Sequence, residues 1–206
     1  LRFDYLADAF RTTKETREVL AQRLAELDRK LPDALSVVGN AQSLLSTRFG
    51  VEIDRRATIR FNFAPVADQG AQGARWDFLA TSNAGVLRHF QTHDVRFHTL
   101  IFTAYLDVHL RSLEQIGAEV PVLRYPMRFS RELSWKCLAR PTVGMQILYL
   151  LERLGRRDVH VFGFDWQATP TYYAPSRRKD PHHHGREQML ATAMIARNGW
   201  TLHTVD

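Results

Sequence analysis

The residues best equipped for chemistry sit in one run near the C-terminus, His182-His183-His184-Gly185-Arg186-Glu187. A histidine changes charge near neutral pH, so one of them, at the mouth of a helix beside Arg186 and Glu187, can take a proton from a reacting group. A solvated loop end is the plainer reading of the same tract. A metal centre is disfavoured, because adjacent histidine side chains diverge, no H-E-x-x-H spacing is present, and Cys137 is the single cysteine. Three further stretches end in small or polar residues: Val37-Val38-Gly39-Asn40-Ala41, Pro141-Thr142-Val143-Gly144 and Val161-Phe162-Gly163-Phe164-Asp165. Gly39 would let backbone approach a ligand, and Asn40 can offer an amide N–H to a phosphate oxygen or a base edge; a Gly-Asn pair is also an ordinary turn. The Pro141 to Gly144 turn opens a helix whose N-terminus can hold an anion, or its Pro and Thr serve only as caps. Arg177-Arg178-Lys179, near Tyr172 and Tyr173, either steers an acidic substrate or forms a solvated face.

These residues need a scaffold, and the pattern around them is that of an α/β chain. Residues 5–31 carry apolar positions among many charges with no Gly or Pro, which predicts one or two amphipathic helices. Apolar runs predict strands at residues 34–38, 76–81, 100–103, 120–123 and 159–164, an alternating pattern predicts one at 57–63, and a last strand is expected at 200–205. Helical periodicity covers residues 145–154 and 187–196, and residues 167–181 are too polar and Pro-rich for a core element. In an open parallel sheet, the loops that leave the carboxyl ends of the strands gather at one edge, where ligands bind. The division expected is an N-terminal helical segment, residues 1–32, packing on a catalytic domain of residues 33–206.

Composition sets the outer bounds. The 206 residues are 45% hydrophobic and 24% charged, which fits a folded globular domain and excludes a fibrous or disordered chain. A formal charge of +6 favours an anionic partner without naming it. Lone Cys137 excludes an intrachain disulfide, and neither an 18-residue apolar span nor a signal peptide is visible. A start at Leu1 leaves a lost targeting segment or a further domain open.

Read together, the segments resemble the animal-type sialyltransferase family, which uses CMP-sialic acid and carries a large motif, a small motif and two short C-terminal motifs. The large motif is matched by Ser36 to Leu44 (SVVGNAQSL), Phe49 to Asp54 (FGVEID) and Ile59 to Pro65 (IRFNFAP). The small motif is matched by Pro141 to Met145 (PTVGM) through Asp158 to Phe164 (DVHVFGF), and the last motif, His followed by four residues and Glu, by His182 and Glu187. The resemblance implies a glycosyltransferase-A variant with a mostly parallel central sheet, acting with inversion and without metal or other cofactor. It implies that Gly39, Asn40, Ala41 and Asn62 lie against CMP, that Thr142, Val143 and Gly144 meet the donor through hydroxyl and backbone amides, and that His182 is the base.

Departures from the family are as informative as the matches. Leu35 and Gly155 stand where the family carries its bridging cysteines, which points to a reducing, bacterial cytoplasmic setting, peripheral at the inner face of the membrane. Val143 replaces a hydroxyl residue, and Thr171 stands where the third motif has its His, leaving Tyr172, Tyr173, His183 or His184 to stabilise the departing phosphate. The expected partners are a CMP-sugar donor and a glycan acceptor, with no nucleic acid. CMP-Kdo shares the CMP, the carboxylate and the quaternary anomeric carbon, so a Kdo transferase is the alternative within the class. A non-catalytic phosphate- or nucleic-acid-binding module is the alternative outside it, disfavoured because Lys and Arg are scattered rather than arranged in a stripe. Acceptor choice is expected in the loops at residues 90–98 and 167–181.

Overall fold

Short apolar runs separated by turns and helices fold here into one sheet. A computed structural model describes residues 15–63, 65–92, 96–104, 120–173 and 181–204. The strands are β1 (Ala34–Val38), β2 (Ala57–Phe61), β3 (Phe78–Thr81), β4 (Thr99–Phe102), β5 (Val122–Arg124), β6 (Asp158–Phe162) and β7 (Thr201–His203). They make a seven-stranded sheet in the order β5-β4-β3-β2-β1-β6-β7, and every adjacent pair is parallel. Both faces of such a sheet are covered, which is why β1, β3 and β4 read as continuous apolar runs rather than alternating ones. Leu35, Val37, Leu79, Leu100 and Ile101 are fully buried. The α/β parallel-sheet architecture expected from the sequence is the one observed.

The helices are α1 (Arg17–Lys30), α2 (Gly50–Asp54), α3 (Gln69–Gln72), α4 (Gly85–Thr92), α5 (Met127–Cys137), α6 (Val143–Arg153) and α7 (His184–Asn198). The Thr16 hydroxyl caps α1, with Glu18 in its first turn and Arg29 and Lys30 in its last, the charge order that a helix dipole favours. Arg156, just ahead of β6, donates from Nη2 to the carbonyls of Asp28 (2.7 Å) and Leu31 (2.8 Å) and so fastens the end of α1 to the sheet. Residues 1–14, Ala64 and the basic run Arg177-Arg178-Lys179 lie outside the described residues, as do parts of both loops expected to choose the acceptor. Among the described residues, no helix is long and apolar enough to cross a membrane.

Strand ends differ from the sequence expectation for local reasons. β2 stops at Phe61 because Asn62 takes a left-handed conformation (φ 54°), and β6 stops at Phe162 because Gly163 does the same (φ 65°). The sheet order runs outward from β1 in both directions, so the loops leaving β1 and β6 part to opposite sides and open a crevice between them. The two loops touch through backbone at its base: a Cβ on Gly39 would sit 2.2 Å from the Gly163 carbonyl oxygen.

Candidate active site

The crevice at the carboxyl ends of β1, β2, β3 and β6 is a cleft of about 370 Å³. It gathers Gly39, Asn40, Ala41, Asn62, Thr142, Val143, Gly144, Tyr173, His182 and His184, which the sequence scatters over five stretches. Tyr172 and His183 do not line it. Tyr172 turns away and donates its hydroxyl to the Pro65 carbonyl at 2.6 Å. His183 is the N-cap of α7, its Nδ1 accepting from the Arg186 amide at 3.4 Å, so its role is to start the helix.

His182 is oriented by backbone. Its Nδ1 lies 2.6 Å from the Arg140 carbonyl oxygen, and since a carbonyl only accepts, Nδ1 carries the proton. In the neutral ring the lone pair is therefore on Nε2, the arrangement a general base requires. Glu187, 1% exposed, sits in the first turn of α7 and reaches across to the turn that opens α6. It accepts from the Thr142 amide at 2.8 Å and from the Thr142 hydroxyl at 2.6 Å. The same hydroxyl caps α6 by accepting from the Met145 amide at 3.2 Å. The hydroxyl proton of Thr142 is thus directed into the protein, and what the turn presents to the cleft is the N-terminus of α6, where an anion is favoured.

On the β1 side, Asn40 donates from Nδ2 to the Phe61 carbonyl (3.1 Å) and to the Tyr173 hydroxyl (3.3 Å). Its Oδ1 is buried with no hydrogen-bond partner among the described residues. The amide N–H expected to meet a ligand is occupied internally, and the acceptor end is left over. Residues 170–173 run alongside: the Gln42 amide donates to the Pro170 carbonyl (2.9 Å), Ala41 bridges Thr171, and the Tyr172 amide donates to the Asn40 carbonyl (3.2 Å). Burial pushes the Tyr173 phenol up to about 12, so it is a neutral hydroxyl at any working pH. Asn62 accepts from the Thr81 hydroxyl at 3.0 Å, which fixes the orientation of its amide.

Sequence reasoning missed Arg140, Ser82 and Trp166, which also line the cleft. Arg140 immediately precedes the Pro141 turn and could have been found by that position alone. Trp166 and Gln167 both have positive φ (56° and 68°) in a turn closed by the Ala168 amide donating to the Asp165 carbonyl, and no pattern of types announces such a conformation. Among the described residues, no group of three or more His, Cys, Asp or Glu side chains has the arrangement to hold a metal ion.

Sheet order, crevice and the clustering of these residues define an architecture already known: the fold is that of the sialyltransferases. A mammalian sialyltransferase in complex with Gal-beta-1-3GalNAc-ortho-nitrophenol superposes with a TM-score of 0.60 at 16% identity over 98% of this chain and 86% of that one. The sialyltransferase CstII from Campylobacter jejuni in complex with the substrate analogue CMP-3FNeuAc gives 0.56 at 14% identity, over 82% and 79% of the two chains. The monofunctional alpha-2,3-sialyltransferase Cst-I from Campylobacter jejuni gives 0.59 at 13% identity, over 84% and 75%. No family model matches the sequence, and no curated protein does.

Proposed function

We propose that the protein is a sialyltransferase-like glycosyltransferase that moves a CMP-activated acidic sugar, sialic acid foremost, onto a hydroxyl of a glycan acceptor. The observation that carries this reading is His182, held by the Arg140 carbonyl with Nδ1 protonated, in the same cleft as the N-terminus of α6 and the β1 and β6 loops. Support comes also from the fold shared with sialyltransferases, one of which is described with CMP and a trisaccharide acceptor.

The reaction is a single displacement. The acceptor oxygen attacks the anomeric carbon as its proton passes to Nε2 of His182, and the bond from the anomeric carbon to the phosphate oxygen breaks, its electron pair leaving with CMP. Charge on the departing phosphate is met by the α6 N-terminus and by the Tyr173 hydroxyl and His184 at the cleft wall, without a metal. Asn40 Oδ1, an acceptor, suits a ribose hydroxyl or the cytosine amino group rather than a phosphate oxygen. The two departures, Val143 without a hydroxyl and Thr171 without an imidazole, are tolerated in this scheme because the backbone and Tyr173 supply the donors.

The test is transfer from CMP-sialic acid and, separately, CMP-Kdo to a mixed glycan acceptor panel, with and without EDTA. Expected is EDTA-insensitive transfer from the first donor, lost at least ~100-fold in His182→Ala as for removal of a general base, while CMP still raises the melting temperature of that variant. Transfer only from CMP-Kdo would change the sugar and keep the class. Silence with both donors and no thermal shift with CMP would remove the reading.

A further inference from the structure

We propose that the indole of Trp166 is the platform on which the base of the donor nucleotide stacks. This rests on the CMP-sugar reading above and adds to it a residue that sets the affinity for the nucleotide.

Trp166 holds a conformation that its residue type resists. It and Gln167 both have positive φ (56° and 68°), two successive left-handed places that Gly and Asn usually fill. The surroundings fix the turn. The Ala168 amide closes it on the Asp165 carbonyl at 3.0 Å, and the Asp165 carboxylate accepts from the amides of Gln167 (3.1 Å) and Thr169 (2.9 Å). The same carboxylate accepts from the Ser43 hydroxyl (3.1 Å) and from the Thr169 hydroxyl, and the Ser43 amide donates to the Thr169 hydroxyl oxygen at 3.2 Å. Strain that is held this firmly points to a ligand site rather than to the core. Its result here is an indole half-buried on the cleft wall, where a glycine would sit without strain. The indole is backed by other rings: it is tilted against Phe164 at 5.5 Å, and Phe164 meets Phe61 edge to face at 5.9 Å.

The order of groups along the cleft decides which part of the donor meets this ring. In a CMP-sugar the reacting carbon, the phosphate, the ribose and the base follow one another. His182 marks the place of the reacting carbon; it is held by the Arg140 carbonyl, and the Arg140 side chain reaches Ser82, just after β3. The N-terminus of α6 comes next and favours the phosphate. Its Gly144 lies so near the Phe164 ring that a Cβ would meet it at 2.9 Å, which carries the wall on to Trp166. Trp166 follows β6, which is three places from β3 in the sheet. Adjacent strands lie about 4.8 Å apart, so the two ends of the cleft are separated by about 14 Å. Trp166 therefore stands at the nucleoside end, away from the attacking hydroxyl. An indole offers a flat apolar face without charge, which suits a base and not a phosphate. Stacking tolerates any base, so Trp166 contributes affinity, while choice among bases falls to hydrogen bonds at the base's edge.

Of the chain's four tryptophans, Trp166 is the one that lines the cleft, so its fluorescence reports the contact. The experiment titrates CMP into wild type, Trp166→Phe, Trp166→Ala and Trp166→Gly, reading tryptophan emission and, by calorimetry, affinity. CMP quenches the wild-type emission, and the quench is lost in all three variants. Trp166→Phe, which keeps a ring, binds CMP within about fivefold of wild type, whereas Trp166→Ala and Trp166→Gly bind it about 10- to 100-fold more weakly, the range for a lost stack. Glycine relaxes a left-handed backbone, so Trp166→Gly melts at or above the temperature of Trp166→Ala and yet binds CMP no better, a result that a merely structural role for the ring would not give. Full affinity in Trp166→Ala or Trp166→Gly, a quench that survives in Trp166→Phe, a Trp166→Phe as weak as Trp166→Ala, or a loss confined to the acceptor KM would each overturn the assignment and leave the CMP site standing. Absence of CMP binding to wild type would instead remove the donor reading, and the role of Trp166 with it.

Discussion

Glu187 acts on the site through another residue. Its position five after His182 places the histidine ahead of α7 and the glutamate in the first turn on the buried side, where it can clamp the start of α6. Removing it takes the acceptor from the half-buried Thr142 amide and hydroxyl and opens a cavity beside the cleft. Glu187→Ala is therefore expected to lose about 2–4 kcal/mol of stability in urea unfolding, whereas Glu187→Gln, able to accept from the Thr142 amide and donate to its hydroxyl oxygen, loses less than half of that. Equal losses in the two variants would show that the carboxylate charge, rather than the volume or the hydrogen bonds that Gln retains, carries the effect. Cys137 makes the opposite case, a reactive residue type with no reactive state. It is fully buried at the end of α5, and burial pushes its thiol up to about 12. Treatment of the native protein with a thiol reagent such as Ellman's at pH 8 should give no labelling, and one equivalent should appear only after denaturation; labelling at a rate typical of free thiols would refute this.

Elements are registered at the crevice by glycines, and their tolerance should differ according to what each faces. A Cβ on Gly39 would meet the Gly163 carbonyl oxygen at 2.2 Å and its carbon at 2.8 Å, both backbone atoms fixed by the pairing of β1 with β6. On Gly144 it would meet Phe164 ring atoms at 2.9 and 3.0 Å, and a ring can turn. Gly39→Ala should cost about 3 kcal/mol or more and abolish the thermal shift by CMP, while Gly144→Ala should cost about 1–2 kcal/mol and keep it, in line with overpacking at a rigid and at a yielding wall. The same contrast explains what the sequence made legible. All seven strands were readable, β1, β3 and β4 because strands buried on both faces are continuous apolar runs and the others from shorter or alternating apolar patterns. The long amphipathic helices α1, α6 and α7 were readable by period. α5 went unread although Phe129, Leu133 and Cys137 repeat every fourth residue, because Arg131, Ser134 and Lys136 interrupt the run and no Gly or Asn marks its end; Leu138 itself takes the left-handed C-cap. The one-turn helices α2 and α3 are too short to show a period, and tertiary contact decides them: Gly50 packs under the Gln69 carbonyl so closely that a Cβ would lie 2.0 Å from it.

At the scale of the whole molecule, the sequence carried the members of the cleft better than their assignments. Ten of the expected residues line one cleft, but which atom of each faces that cleft depends on partners from distant segments, as when Tyr173 and Phe61 take the Asn40 amide and Glu187 takes the Thr142 hydroxyl. No local pattern contains that information. The same holds for a histidine pair at the far side of the sheet, outside the cleft, which gives the fold a defined acid limit. His160 on β6 and His203 on β7 share one hydrogen bond, Nδ1 to Nε2, at 2.9 Å, and the His203 ring stacks on Phe162 at 4.1 Å. One nitrogen must donate and the other accept, so the pair holds a bond only while one ring is neutral. Burial first, then the charge of Arg56 for His160 and of His160 for His203, lowers both below the ordinary histidine value, with Asp158 and Glu52 opposing in part. A group whose folded value is depressed stabilises the fold above its unfolded value and ceases to do so as pH falls through the folded one. The urea midpoint should therefore be level from pH 8 to 7 and decline as the pH passes below about 6.5, the unfolded histidine value. A second decline follows near the ordinary carboxylate range, where Glu52, Asp77 and Glu132, all held low in the folded protein, take up protons. His203→Phe keeps the stacking on Phe162 and removes one of the two titrating rings, so the first decline should shrink while the second stays. A wild-type midpoint that is flat between pH 7 and 5, or an unchanged profile in His203→Phe, would show that the pair is not what limits the fold in acid.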